Sequence, residues 1–337
     1  MRNAEKFGSQ TVDILVATYN GQEYIRAQLL SLLFQTHEAI RVLVHDDGST
    51  DATREIVREI AAKDSRVKLI EDGVTCGNAG KNFMHLLKFS TANAVMFCDQ
   101  DDIWFDNKVA VMLEGLKRNE PSVPQVVYSE AYAWYANRGI DGKAMNTHPT
   151  DLKSFLFLNG AFQGCATLFN GAMRNLLRQW QGPLWMHDHT LALIALSLGR
   201  VTYMLTPLML YRRHPESVMG KSPLRGSVRT ALIAHRAAPV VCQGSYEAVE
   251  RFLNLYGGKL SQKNRYILRE YLKMRDDSFI KRVFAVLRNR FTLRGSTGAL
   301  LIKLVLRPYI KAIKLGSGGG LDLTGLFAVN ADYEAAA

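Results

Sequence analysis

The segment Phe97–Trp104 reads FCDQDDIW, with three carboxylates in four residues directly after an apolar run. Packed negative charge at a strand end is costly unless a cation relieves it. A hard divalent ion such as Mg²⁺ or Mn²⁺ suits this composition, because it takes a few carboxylate oxygens and fills its other positions with water and substrate phosphate. Asp46 and Asp47 open a second acidic segment, DDGSTD. A carboxylate there can accept the imide N–H of a uracil or thymine ring. The same stretch also suits a turn with Gly48 left-handed and Asp51 heading a helix, and for Ser49 and Asp51 both readings stay open. His187-Asp188-His189 invites comparison with a metal-hydrolase site. Residues i and i+2 lie on different faces of a helix, and no further His and Asp ligands stand out, so that reading is set aside. Gly220-Lys221-Ser222 resembles the end of a phosphate loop, but Pro215 stands where that loop needs glycine.

These residues need elements to carry them. Val12–Ala17, Ile40–Val44, Val67–Ile70 and Ala94–Cys98 are short apolar runs that predict buried strands. Between them, Glu23–Gln35, Asp51–Ala62 and Asn82–Phe89 carry helical spacing. Strand-helix alternation predicts a parallel sheet with right-handed crossovers, whose ligands bind beyond the carboxyl ends of the strands. The residues at those ends are Thr18-Tyr19-Asn20, Asp46-Asp47 and Asp99 to Asp102. Farther on, Gln125–Tyr128 reads as a strand, Asp151–Asn170 as a helix and a strand, His187–Leu198 as a helix and Val201–Leu205 as a strand. From Ser227 the chain reads as mostly helical.

The bulk properties narrow the class. The 337 residues are 47% hydrophobic and 22% charged, the balance of a globular protein. Cys76, Cys98, Cys165 and Cys242 show no Cys-x-x-Cys spacing, which argues against a zinc knuckle and fits a reducing compartment. Met1–Gln10 lacks an apolar core, so no signal peptide is expected. The longest apolar stretch, Thr190–Tyr211, is broken by Gly199-Arg200 and Pro207 and reads as buried core rather than a membrane span. The formal charge of +11 is local. Residues 259–315 hold 15 Lys and Arg against 3 Asp and Glu, whereas the remainder is nearly neutral. Within that segment, Phe279–Arg294 and Leu300–Ile313 alternate apolar and basic residues at helical spacing, as expected of helices lying on an anionic membrane. The alternative is helices packed on the rest of the protein with a solvated basic face. No motif or aromatic platform points to nucleic acid. Gly316–Gly320 has linker composition, and 316–337 reads as a flexible tail.

VATYNG (Val16–Gly21), HDDGSTD (His45–Asp51) and FCDQDDIW resemble the motifs of glycosyltransferase family 2 in order and spacing. WMHDHTLAL (Trp185–Leu193) and LYRRHPESVMG (Leu210–Gly220) are similar to later motifs of its bacterial polysaccharide branch, which includes rhamnosyl-, glucosyl- and galactosyltransferases. The resemblance covers Val12 to Gly220. It implies an α/β protein of GT-A type, with a mostly parallel central sheet flanked by helices over 1–220; the basic helical region over 221–315 is read from the residue pattern and lies outside the resemblance. It further implies that Thr18, Tyr19, Asn20, Lys81 and Asn82 line the nucleotide pocket and that Asp47 reads the pyrimidine. Asp99 would face the ribose and, with Asp101, serve a divalent cation; Asp102 would brace the loop or touch the donor sugar. Asp188 is the implied general base, and His214 lies in a loop placed over the diphosphate or metal. Arg212 alone reads as part of a basic surface turn. Gly164-Cys165 resembles a segment bordering the acceptor cleft, where Gly164 gives a sugar room or lets backbone pack closely.

The implied activity is inverting, Mg²⁺- or Mn²⁺-dependent transfer from a UDP- or dTDP-sugar to a saccharide, lipid-linked, in surface polysaccharide assembly. The place implied is the cytoplasmic face of a bacterial plasma membrane. Rivals are a nucleotidyltransferase, which should show a basic Gly-rich loop near the N-terminus that this chain lacks, and a non-catalytic sugar-nucleotide-binding scaffold.

Overall fold

The computed structural model describes residues 10–116, 120–144, 147–160, 162–213 and 239–311. The chain divides into two compact units. The first, 1–146 with 162–212, is built on a nine-stranded sheet. Its first half alternates as the apolar runs require: β1 (Val12–Thr18), α1 (Ile25–Leu33), β2 (Ile40–Asp46), α2 (Thr53–Lys63), β3 (Val67–Ile70), α3 (Ala79–Leu86) and β4 (Ala94–Asp99). β1 pairs in parallel with both β2 and β4, and β2 with β3. Every residue of β1 is buried, which is why all but Asp13 and Thr18 are apolar. Its one charge, Asp13, is held by Arg41, Ser90 and the N–H groups of Thr91 and Ala92.

Beyond β4 come β5 (Ile103–Trp104), α4 (Lys108–Leu116), β6 (Gln125–Tyr135), β7 (Gly139–Lys143), α5 (Leu152–Phe155), β8 (Thr167–Asn170), α6 (Gly171–Arg178), α7 (His187–Leu198) and β9 (Arg200–Arg212). The strand order is β3-β2-β1-β4-β8-β6-β9-β5, with β7 on β6. β8 is antiparallel to β4 and β6, so the sheet is parallel in its first half and mixed beyond it. β9 is much longer than the strand expected at Val201–Leu205. It runs through Pro207 because β6 shifts register at Glu130, and such an irregularity tolerates a residue without an N–H. Thr190–Tyr211 is therefore helix, turn and strand. Among the described residues no helix is long and apolar enough to cross a membrane.

The second unit comprises 147–161 and 213–337. Its described helices are α8 (Gln243–Tyr256), α9 (Gln262–Lys273), α10 (Phe279–Asn289) and α11 (Thr297–Leu306), together with α5. The segment 147–161, grouped with the first domain by the sequence, joins this unit because its aromatic side chains find their partners there. Phe157 packs edge-on against Tyr271 and Phe291, and Asn159 bonds Val240 and Cys242.

Candidate active site

The ends of β2 and β4 flank the end of β1. Ala17 is in register with both His45 and Asp99, and Thr18 with Asp46. The acidic segments singled out by the sequence thus lie on adjacent strands.

At the β2 end both carboxylates are supplied with donors. Asp46 accepts hydrogen bonds from the Thr18 hydroxyl at 2.9 Å and from Ser49 N–H at 2.8 Å and its hydroxyl at 2.5 Å. Asp47 is buried, and its Oδ1 accepts the N–H groups of Cys76 and, at 3.1 Å, Gly77. Asn20 adopts a left-handed conformation (φ 46°), which lets its N–H reach Ser49 Oγ and its Oδ1 accept Thr50 N–H. Asp51 accepts the N–H and hydroxyl of Thr53 at the head of α2, so it does act as a helix-entry residue. Tyr19 is 56% exposed, and its backbone is gripped at both ends by the Gln100 amide. Gly21 makes this possible, since a Cβ there would lie 2.2 Å from Gln100 Oε1. Lys81 is exposed, its N–H capped by Asn78. It lines a cleft of about 550 Å³ with His85, Arg178 and Trp180. The Asn82 side chain is in the core, where both ends of its amide engage His45. His214 lies outside the described residues.

At the β4 end one carboxylate oxygen, on Asp102, lacks a donor. Burial, then the charge of Asp101, pushes Asp99 up to about 7. Burial and the charges of Asp101 and Asp99 push Asp102 well above the usual carboxylate range, and its Oδ2 is buried with no hydrogen-bond partner. Its Oδ1 accepts Arg212 N–H at 3.0 Å. Ligand atoms of Asp99, Asp102 and Cys165 lie within 4.8 Å of one another.

Three residues that the sequence did not place at this turn are its neighbours. Arg212 is no mere surface turn: its Nε donates to the Asp101 carbonyl at 2.6 Å, and its guanidinium stacks on Trp134 at 4.1 Å. Lys108 is fully buried, donating to the Cys165 carbonyl at 2.6 Å and lying 3.7 Å above Trp104. Burial lowers its ammonium to about 8 against the attraction of Cys165, Cys98, Asp102 and Asp99. Cys165 itself brings a thiol to the carboxylates. Burial, then the charges of Asp102 and Asp99, keeps that thiol protonated.

Asp188 stands in the first turn of α7, where the helix dipole favours a carboxylate. Burial outweighs the dipole and the hydrogen bond from His189 N–H, and with the charge of Asp99 it raises Asp188 to about 7. Asp188 and Asp99 are therefore electrostatic neighbours. His187 is wedged between Phe83 and Phe97 and lowered to about 3 by burial, so it is a neutral packing ring. Gly164 yields it space, for a Cβ would meet His187 Nε2 at 2.2 Å. The room at Gly164 is thus taken by protein, as close packing requires.

The model of the family described as "Glycosyl transferase family 2" matches residues 13–179. A UDP-Glc:alpha-D-GlcNAc-diphosphoundecaprenol beta-1,3-glucosyltransferase of Escherichia coli, WfgD, is 36% identical over 111 residues, 33% of this chain and 43% of that protein. The match therefore spans less than half of that relative. A dTDP-rhamnosyl transferase of Shigella flexneri, RfbG, is 29% identical over 220 residues, 61% of this chain and 73% of that one. Among solved structures, S. aureus TarS 1-349 in complex with UDP-GlcNAc superimposes with a TM-score of 0.54 at 17% identity, covering 78% of this chain and 70% of that one. The likeness to TarS shows a shared GT-A fold.

Proposed function

The chain belongs to glycosyltransferase family 2, and we propose that it moves a sugar from a UDP- or dTDP-sugar to a saccharide hydroxyl, inverting the anomeric carbon. The observation that carries this reading is the unsatisfied acidic turn after β4 beside the buried Asp188. The turn fits a hard divalent cation, Mg²⁺ or Mn²⁺, because burial and neighbouring negative charge raise Asp99 and Asp102, and one buried Asp102 oxygen has no donor. Asp101 and Asp99 would hold the ion. Bound there, it would stabilise negative charge on the departing diphosphate.

The remaining roles fall to side chains. The exposed Tyr19 ring offers a face to the pyrimidine, and Asp47 keeps Oδ2 for its imide N–H while Oδ1 holds the 76–77 loop. Thr18 and Asn20 shape that pocket, and Lys81 offers a cation to phosphate at its edge. Asn82 acts through His45 rather than by touching the nucleotide. Asp102, tied to Arg212, braces the turn. Asp188 takes the proton of the acceptor hydroxyl as that oxygen bonds to the anomeric carbon. The carbon–oxygen bond to the diphosphate breaks, and its electron pair leaves with the nucleotide. A base near 7 is well matched to this task.

The acceptor class proposed is a lipid-linked saccharide, by extension from the name of the E. coli relative. The second unit supports work at a bacterial inner-membrane surface. On α10, Phe279, Ile280, Phe284 and Leu287 are exposed, interspersed with exposed Lys281 and Arg288; on α11, Ile302, Val305 and Leu306 are exposed. Apolar groups among basic ones suit an anionic headgroup layer. Cosedimentation should show binding to phosphatidylglycerol vesicles and little to phosphatidylcholine; equal binding to both would remove the electrostatic part of this reading.

The enzymatic proposal is tested by assaying UDP- and dTDP-sugars with a lipid-linked saccharide, with and without EDTA. Chelator-sensitive transfer is expected. Asp188→Asn should keep donor binding and lose transfer, whereas a scaffold would be indifferent to the change.

A further inference from the structure

Away from the acidic turn, three ligand-type side chains converge from separate segments. His45 lies in β2, Asp72 follows β3, and His85 stands in the last turn of α3. One ligand atom from each lies within 4.8 Å of the others. His45 Nε2 is 3.3 Å from Asp72 Oδ1, and His85 Nε2 is 2.6 Å from Asp72 Oδ2.

Asn82 fixes the polarity of this cluster. Its Nδ2 donates to the His45 carbonyl at 3.1 Å, so its Oδ1 is the atom 2.7 Å from His45 Nδ1. An amide oxygen only accepts, so His45 carries its hydrogen on Nδ1. In the neutral ring, Nε2 then turns a lone pair toward a carboxylate oxygen. Two acceptors at that distance call for a cation between them, either a proton or a metal ion.

We infer that His45, Asp72 and His85 form a binding site for a divalent transition-metal ion of the zinc class. Two imidazoles with one carboxylate favour such an ion over Mg²⁺ or Ca²⁺, which prefer oxygen throughout. The Asn82 carbonyl on His45 Nδ1 is the outer hydrogen bond that orients a ligating imidazole. Ligand atoms on a tetrahedral zinc stand about 3.3 Å apart, given bonds of about 2.0 Å. The His45 Nε2–Asp72 Oδ1 separation already meets this, whereas His85 lies against the other oxygen, Oδ2, so the carboxylate and the His85 ring must shift for the three ligand atoms to surround one ion. His85 then moves its hydrogen to Nδ1, where its neighbour is Lys88 Nζ, at 3.5 Å and on an exposed side chain able to turn into solvent. Asp72 keeps 28% of its side-chain surface exposed, which gives the ion a way in.

The metal would staple β2, the 72–77 loop and α3 together. Asp47 is two residues beyond His45, and the Cys76 and Gly77 N–H groups it accepts follow Asp72 by four and five residues. The ion would therefore stiffen the loop around Asp47 without entering the acidic turn.

The test is a Co²⁺ titration of the chelator-stripped protein carrying Asp99→Asn and Asp101→Asn, which silences the acidic turn. One Co²⁺ per chain should bind with visible ligand-field absorption, be displaced by Zn²⁺, and raise the unfolding temperature. Adding His85→Asn should weaken binding by about 100-fold or more; Asp72→Asn, at a more exposed position, should do the same, with circular dichroism confirming the fold of each. Absence of Co²⁺ binding in the parent variant, or binding that survives both substitutions, would overturn the site and leave a protonated His45 as the explanation. Neither result depends on sugar transfer.

Discussion

The ends of β2 and β4 both carry tandem carboxylates, both flank β1, and their chemistry is opposite. At the β2 end, Asp46 and Asp47 accept hydrogen bonds from hydroxyls and backbone N–H groups of their own and neighbouring turns. At the β4 end, Asp99 and Asp102 are pushed up by burial and mutual repulsion, and one oxygen of Asp102 has no donor. Charge count does not separate the two ends; donor supply does. The satisfied end holds a loop in shape. The starved end stores an electrostatic cost that a cation could relieve, and the proposed metal site rests on that difference.

Substitutions should break the symmetry in a set order. Asp99→Asn with Asp101→Asn removes the inferred cation ligands, and turnover in a transfer assay should fall by on the order of 10⁴ or more, since metal charge stabilisation is a matter of several kcal/mol. Asp188→Asn should lower kcat by about 10²–10⁴, with donor affinity preserved in a binding titration. The wild-type rate should rise with pH through about 7 as Asp188 ionises. Its raised value also has a stability consequence. The fold favours the protonated carboxyl, so the stabilisation is full below the ordinary carboxylate range near 3.8 and is lost as pH rises through about 7. Asp188→Asn should therefore melt higher than wild type at pH 8 and equally at pH 4.

Lys108→Met sharpens the contrast from below. It removes the buried cation beneath the starved end and should cost about 3–5 kcal/mol by denaturant unfolding, because it leaves that end's charges less compensated. The smallest effects are the most telling in sign. In EDTA, Asp102→Asn should stabilise by about 1 kcal/mol, because it relieves repulsion and can keep the Arg212 bond. Asp46→Ala should destabilise by about 1–3 kcal/mol, because it strands donors. The same sign for both would erase the distinction.

The sequence exposed the acidic residues and the strands beneath them, because buried parallel strands are continuous apolar runs and their ends carry the turns. It did not expose what decides the chemistry. Lys108 looks like an ordinary helix lysine, and its burial depends on Cys165 and Met209, 57 and 101 residues away. Arg212 looked like surface until β9 ran past Pro207 and delivered it to the 101–102 turn. Gly164 is small because His187 fills its space. Segment 147–161 changed units because its aromatic partners lie more than 100 residues downstream. Motifs are local, whereas satisfaction and starvation are tertiary.

The most direct test is Mn²⁺ binding followed by electron paramagnetic resonance, with UDP present, in the wild type, in Asp99→Asn/Asp101→Asn and in Asp46→Asn. UDP-dependent binding should vanish in the double variant and persist when Asp46 is changed. Binding that is unchanged in the double variant would contradict the assignment of the cation to the turn after β4.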